Sequence, residues 1–171
     1  DERLPTTGMQ SVAISPDGTH LAYVAQRGVT RQLYLRTMDS LEARPLLGTD
    51  DADMPFFSPD GEYVGFFAGD KLKKVAISGG AVLTLSDTSG PRGASWGSNG
   101  RIVFAPTPAS PLFQVSAAGG MPEPLTKLDD SKGEASHRWP EVLPGSKAVL
   151  FAVTGGEINV QRLDTGERKG L

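Results

Sequence analysis

Residues 12–24 read VAISPDGTHLAYV, and residues 55–67 read PFFSPDGEYVGFF. In both, a short apolar run leads into Ser-Pro-Asp-Gly and a second apolar run leads out. Proline presets φ for the first central position of a type I turn, aspartate suits the second, and glycine supplies the positive φ that follows. Each stretch is therefore a hairpin of two antiparallel strands. Working outward, residues 94–105 (ASWGSNGRIVFA) and residues 140–153 (PEVLPGSKAVLFAV) repeat the arrangement. Anchored on Pro16, Pro59, Ser98 and Pro144, the copies step by 43, 39 and 46 residues. That spacing is the length of a four-stranded propeller blade and too long for a leucine-rich repeat.

The order of elements within a copy supports the same reading. The hairpin is followed by an alternating third strand (residues 32–36, 72–77, 112–116 and 158–163). A turn such as Ser78-Gly79-Gly80 or Ala118-Gly119-Gly120 then leads to a fourth strand near Leu46, at residues 83–85, and near Leu125. The predicted fold is all-β, a β-propeller segment of four tandem four-stranded blades. These occupy approximately residues 8–50, 51–90, 91–130 and 131–171 of a single domain. The last copy runs out around residues 166–171, where its fourth strand should stand. Ser146 takes the place of Gly18, Gly61 and Gly100, so the fourth hairpin is expected to be the least regular. Ile14, Phe57 and Trp96, on the first strands, are expected to pack between blades.

Composition narrows the function. Glycine (21) and proline (13) are spread along all 171 residues, which suits many short strands and works against long helices. A net charge of −3 supplies no field for a nucleic-acid partner or an anionic membrane. The absence of cysteine excludes disulfides, thiolate metal ligands and cysteine nucleophiles. No apolar run approaches the roughly 20 residues of a membrane-spanning helix, and residues 1–5 (DERLP) do not read as a signal peptide.

Candidate chemistry is sparse. Gly93-Ala94-Ser95-Trp96-Gly97 matches the G-x-S-x-G pattern of esterases, and Asp129 and His137 follow in the order of an α/β-hydrolase triad. An esterase-like serine hydrolase using Ser95, His137 and Asp129 is therefore the alternative reading. It requires a strand-to-helix elbow with oxyanion donors, whereas Ser95 aligns with Ala13 and Phe56 inside a first strand and no helix follows. His20 and His137 lie in different copies, and Asp50-Asp51-Ala52-Asp53 lacks the glycine and closing glutamate of an EF-hand. Neither a metal nor another cofactor is expected. Lys71, Lys73 and Lys74 read as the exposed side of a strand. The longest link between copies, residues 127–140 (KLDDSKGEASHRWP), lies on the rim that carries the loops after each second strand. A ligand or partner site is placed there at Arg92, Trp96, His137, Arg138 and Trp139, because long loops with aromatic and arginine anchors carry recognition. For His137 and Trp139 the competing reading is packing between blades.

The SPDG repeat, with its alternating third strand and GG turn, resembles the TolB-type propeller repeat, a relative of the WD repeat. Residues 31–46 (RQLYLRTMDSLEARPL), 65–80 (GFFAGDKLKKVAISGG) and 133–151 (GEASHRWPEVLPGSKAVLF) are similar to propellers fused C-terminally to bacterial serine/threonine protein kinases. The resemblance covers about residues 9–168. It implies a non-catalytic module of sensor or scaffold type that binds a protein or ligand, and it favours a periplasmic or cell-surface location. Such propellers usually carry six or more blades, and this sequence holds four. An open arc of four would leave apolar faces at the first copy (Val12, Ile14, Leu21, Tyr23) and the last (Val149, Phe151), which predicts a homodimer. The competing arrangement is a four-bladed ring closed by residues 1–7.

Overall fold

The computed structural model describes residues 11–171, which form four separate four-stranded antiparallel sheets. The first contains β1 (Val12–Ile14), β2 (His20–Arg27), β3 (Thr30–Thr37) and β4 (Ala43–Pro45), paired in that order. The second contains β5 (Asp53–Phe57), β6 (Tyr63–Phe67), β7 (Lys71–Ala76) and β8 (Leu83–Asp87). The third contains β9 (Ala94–Trp96), β10 (Arg101–Phe104), β11 (Phe113–Ser116) and β12 (Glu123–Pro124). The fourth contains β13 (His137–Val142), β14 (Ala148–Val153), β15 (Ile158–Arg162) and β16 (Arg168–Gly170). The one helical element among the described residues is a 3-10 turn at Asp130–Lys132. Each predicted copy is thus a blade. The fourth is complete: β16 pairs with β15 through Gln161↔Arg168, so the expected loss of its outer strand does not occur. The predicted closing segment, residues 1–7, lies outside the described residues.

The chain divides into two compact units, Asp1–Thr84 and Leu85–Leu171. In the first, Ala22, Val24, Leu33 and Leu35 of blade 1 meet Phe57, Val64, Phe66 and Val75 of blade 2 in one apolar cluster. In the second, Val103, Ala105 and Leu112 of blade 3 meet Val149, Phe151 and Val153 of blade 4. Val149 and Phe151 are 0% and 1% exposed, so they do not form the uncovered face expected of the last copy. Phe57 packs between blades as expected, but Ile14 is 59% exposed.

The hairpin turns show what the Ser-Pro-Asp-Gly residues contribute. The Ser15 hydroxyl donates to the Asp17 carboxylate at 2.5 Å and accepts the His20 N–H at 2.9 Å, while Asp17 accepts the Thr19 N–H at 3.0 Å. Ser58 and Asp60 repeat this bracket in blade 2. The fourth hairpin keeps the register, with the Ser146 N–H on the Leu143 carbonyl at 2.9 Å, but changes turn type. Gly145 has φ +80°, as in a type II turn, and Ser146 still stands at φ +51°.

Two first strands carry a second device. Met54 and Trp139 have φ +47° and +54°, each immediately precedes a proline, and each lies where the register shifts between Asp53 and Phe56 or between Arg138 and Glu141. These are bulges, and a bulge re-aims the side chain at its centre.

Candidate functional site

The links and the loops after second strands meet on one rim of the second unit. The Ser89 N–H binds the Pro106 carbonyl at 2.8 Å, the Arg92 N–H binds the Ala105 carbonyl at 3.0 Å, and the Trp139 N–H binds the Arg92 carbonyl at 2.8 Å. Three of the predicted site residues, Arg92, Arg138 and Trp139, are brought together by this stitching. Arg92 folds back, its Nη1 donating to the Gly90 and Pro91 carbonyls at 3.1 and 2.9 Å. Arg138 donates from Nε to the Ser136 hydroxyl at 2.7 Å and from Nη2 to the Pro108 carbonyl at 3.0 Å. Both guanidiniums are held by neutral acceptors, so their charge is available to a partner. Trp139 is 44% exposed, and its ring and backbone press on Gly93, where a Cβ would meet them at 3.0–3.2 Å. The left-handed backbone costs about 1–2 kcal/mol, and its outcome here is an indole fixed at the rim.

His137 has a different place. It is 0% exposed, with its ring 4.6 Å from that of Phe151. Its Nδ1 lies 2.7 Å from the Thr126 hydroxyl and its Nε2 lies 3.1 Å from Glu134 Oε2. Glu134 also accepts the Asp129 N–H at 2.7 Å and forms an ion pair with Arg168, whose Nη1 is 3.0 Å from Oε2. Arg168 continues to the Asn159 side chain at 2.9 Å and the Lys127 carbonyl at 3.3 Å. Burial pushes the His137 pKa below its ordinary value, outweighing the hydrogen bond to Glu134. Glu134 is pulled the other way: burial raises its pKa, but the Arg168 and Asp129 hydrogen bonds together win and hold it at about 2. The neutral histidine fits, since the Thr126 hydroxyl, which already accepts the Leu112 N–H at 2.9 Å, can donate to Nδ1 while Nε2–H donates to Glu134. This network ties the long link to blade 4. Sequence reading missed Glu134, Thr126 and Arg168. Only the three-residue spacing of Glu134 from His137 hinted at it, and Arg168 lies 31 residues further on.

Trp96 is half-buried at the far end of β9 from Arg92, paired with Ile102, and does not join the rim cluster. The hydrolase constellation is not assembled either. The Ser95 hydroxyl accepts the Val142 N–H at 3.0 Å from within a strand, and Asp129 accepts the Ser131 N–H and hydroxyl at 3.1 and 2.6 Å to cap the 3-10 turn. With both ring nitrogens engaged elsewhere, His137 does not serve Ser95 as a base. Asp53, of the acidic run, accepts the Met54 N–H at 2.9 Å.

Known proteins share this architecture. A putative TolB from Agrobacterium tumefaciens superposes with a TM-score of 0.78 at 17% identity, over 94% of this chain and 63% of that one. The fold is a TolB-like β-propeller. TolB from Acinetobacter baumannii gives 0.75 at 17% identity, over 95% of this chain and 43% of that one. A chain of a nidogen/laminin complex gives 0.68 at 11% identity, over 96% of this chain and 64% of its own length. The chain thus spans less than two thirds of the length of each of these three chains. No family model and no curated protein sequence matches it.

Proposed function

We propose that this chain is a non-catalytic propeller module that binds a protein segment at the rim formed by Arg92, Arg138 and Trp139. The observation that carries the reading is Trp139: an aromatic residue at φ +54°, on a bulge, 44% exposed and clamped against Gly93. Tryptophan and arginine are the residues most often found at binding hot spots, and a rigid indole loses little entropy on contact. Two guanidiniums without carboxylate partners flank it, so the fitting occupant offers an acidic group beside an apolar side chain.

The test is selection of peptides from a displayed random library on the chain, followed by titration of the winners. Enrichment of acidic, apolar sequences that bind Trp139→Ala and Arg138→Ala at least tenfold more weakly is the expected result. Winners that bind both variants as tightly as the parent chain would remove the rim from the proposal. Hydrolysis of an activated ester by the chain, lost in Ser95→Ala, would overturn the non-catalytic reading.

A further inference from the structure

The hairpin turns of blades 1, 2 and 3 share a backbone but not a side-chain brace. Gly18, Gly61 and Gly100 stand at φ +73°, +75° and +73°, and each N–H donates to the carbonyl three residues back. In blades 1 and 2 the residue before the glycine is a braced aspartate. Asp17 accepts the Ser15 hydroxyl, the Thr19 N–H and the Thr19 hydroxyl, and Asp60 accepts the Ser58 hydroxyl and the Glu62 N–H. In blade 3 that residue is Asn99, and Gly97 stands where Ser15 and Ser58 stand, so the hydroxyl brace is gone. Among the described residues Asn99 Oδ1 accepts one hydrogen bond, from the Arg101 N–H at 3.1 Å. The Gly100 N–H reaches the Gly97 carbonyl at 3.2 Å, against 2.9 Å for the bonds of Gly18 and Gly61, which is the long end of the range for such a bond. Asn99 and Gly100 are both exposed, and no atom lies within 4 Å of the place a Cβ would take at Gly100.

Asparagine followed by glycine carries its own electrophile and nucleophile, and asparagine is among the thermolabile side chains. Once solvent base removes its proton, the Gly100 backbone nitrogen bonds to Asn99 Cγ. The Cγ–Nδ2 bond then breaks, and Nδ2 takes a proton from water and leaves as ammonia. Water opens the cyclic succinimide that remains. Breaking the bond from the ring nitrogen to Cγ gives aspartate on an ordinary backbone. Breaking the bond to the other carbonyl carbon gives isoaspartate, with the backbone rerouted through Cγ. Glycine is the least hindered residue to supply the nitrogen, because it has no Cβ. Asp17 and Asp60 are poorer substrates, since ring closure there must expel water from a protonated carboxyl. The Ser15 hydrogen bond holds the Asp17 pKa down to about 2, and the Ser58 hydrogen bond holds that of Asp60 below the usual carboxylate value. The chain's other asparagine, Asn159, is 3% exposed, lies within β15 and precedes the β-branched Val160.

We infer that Asn99 is a site of spontaneous deamidation in the folded chain, converted through a succinimide with Gly100 into aspartate and isoaspartate. Aspartate fits this turn, because Asp17 and Asp60 accept the N–H two residues on as Asn99 does. Isoaspartate adds a methylene to the backbone inside the hairpin that the Gly97 N–H closes on the Arg101 carbonyl at 2.8 Å. The aspartate product therefore keeps the turn, and the isoaspartate product strains it. Each conversion adds one negative charge at the exposed turn of blade 3. None of the rim residues that carry the proposed function takes part.

Peptide mass spectrometry on the folded chain, held at physiological temperature in mildly alkaline buffer, tests it. Cleavage after Arg92 and Arg101 isolates residues 93–101, in which Asn99 supplies the one side-chain amide. The expected result is a gain of one mass unit in that peptide, in two chromatographically separate forms, with Asn159 unchanged. Gly100→Ala, whose methyl group meets open space, should slow the gain at least about tenfold by crowding the nitrogen. Asn99→Asp should show no gain and should denature at the parent's midpoint or above it, and a lowered midpoint would overturn the fit of aspartate to the turn. Asn99 kept intact in the folded chain, while chain unfolded in guanidinium loses it at the same pH, overturns the inference, because the turn then protects the residue. So does a gain at Asn159 as fast as at Asn99, or a rate in Gly100→Ala equal to the parent's.

Discussion

At Gly65, in the middle of β6, the Phe56 ring from the neighbouring strand lies where a side chain would begin. Any Cβ there overlaps three ring atoms, and Phe56 is only 8% exposed, with little room to retreat. Gly65→Ala should therefore destabilise by about 2–3 kcal/mol, the range for overpacking a filled site. Gly61 offers the contrast. Its φ of +75° disfavours a side chain, but the nearest atom to an added Cβ is 4.0 Å away, so Gly61→Ala should cost only about 1 kcal/mol. Chemical denaturation of the two variants checks the order, and a larger loss at Gly61 would contradict it. Ser146 is the inverse case, a serine held at φ +51° whose hydroxyl is 3.0 Å from that of Ser98. Ser146→Gly relieves about 1 kcal/mol of backbone strain and gives up a partly exposed hydrogen bond worth about 0.5–1 kcal/mol. The expected outcome is a midpoint unchanged or slightly raised. The substitution of serine for glycine was visible in the sequence. The change to a type II turn follows from the neighbouring Gly145, whose free φ lets the chain turn one residue earlier.

Strands β13 and β16 and the link before them form a unit joined by buried charge. Removing Arg168 leaves the Glu134 carboxylate, 3% exposed, without its cation, and Arg168→Ala should cost about 3–5 kcal/mol. The same network fixes the response to acid. Below its ordinary value of 6.5, the unfolded chain protonates a histidine that folded His137 keeps neutral, so stability falls as pH drops. A second loss follows from about pH 4.5 down to about 2, as the unfolded glutamate takes up a proton that folded Glu134 resists. A plot of denaturation midpoint against pH should therefore slope downward from pH 6.5 toward acid, with the upper part flattened in His137→Gln. An unchanged slope in that variant would detach His137 from the effect. Period-two alternation located β14, β15 and the part of β13 from Trp139 to Val142, where apolar residues recur. It missed β16, where Arg168, Lys169 and Gly170 carry no apolar signal and the strand is held by Arg168 reaching Glu134 and Asn159. That Arg92, Arg138 and Trp139 share one rim was legible in the sequence. Of the two readings that the sequence offered for His137, packing is the one that its full burial supports.

At the scale of the whole chain, the repeat decided the architecture: recurring turn chemistry at steps near forty residues leaves little choice but blades. What it could not decide was which face of a blade is covered, since Val149 and Leu150 look equally apolar and only the register sends one inward. The outer strands have a separate consequence for how the protein behaves when crowded or heated. Among the described residues each sheet ends in an outer strand, β4, β8, β12 or β16, and an outer strand is a template on which a foreign strand can grow. β4 and β12 each end in a proline, Pro45 and Pro124, and β16 carries Lys169, all devices that blunt such growth. β8 has neither proline nor lysine, is five residues long, and shows Leu83 at 51% exposure. Fibril-like aggregation of this protein would therefore begin at β8, and the sequence Leu83-Thr84-Leu85 is where a single lysine would do most to keep it in solution.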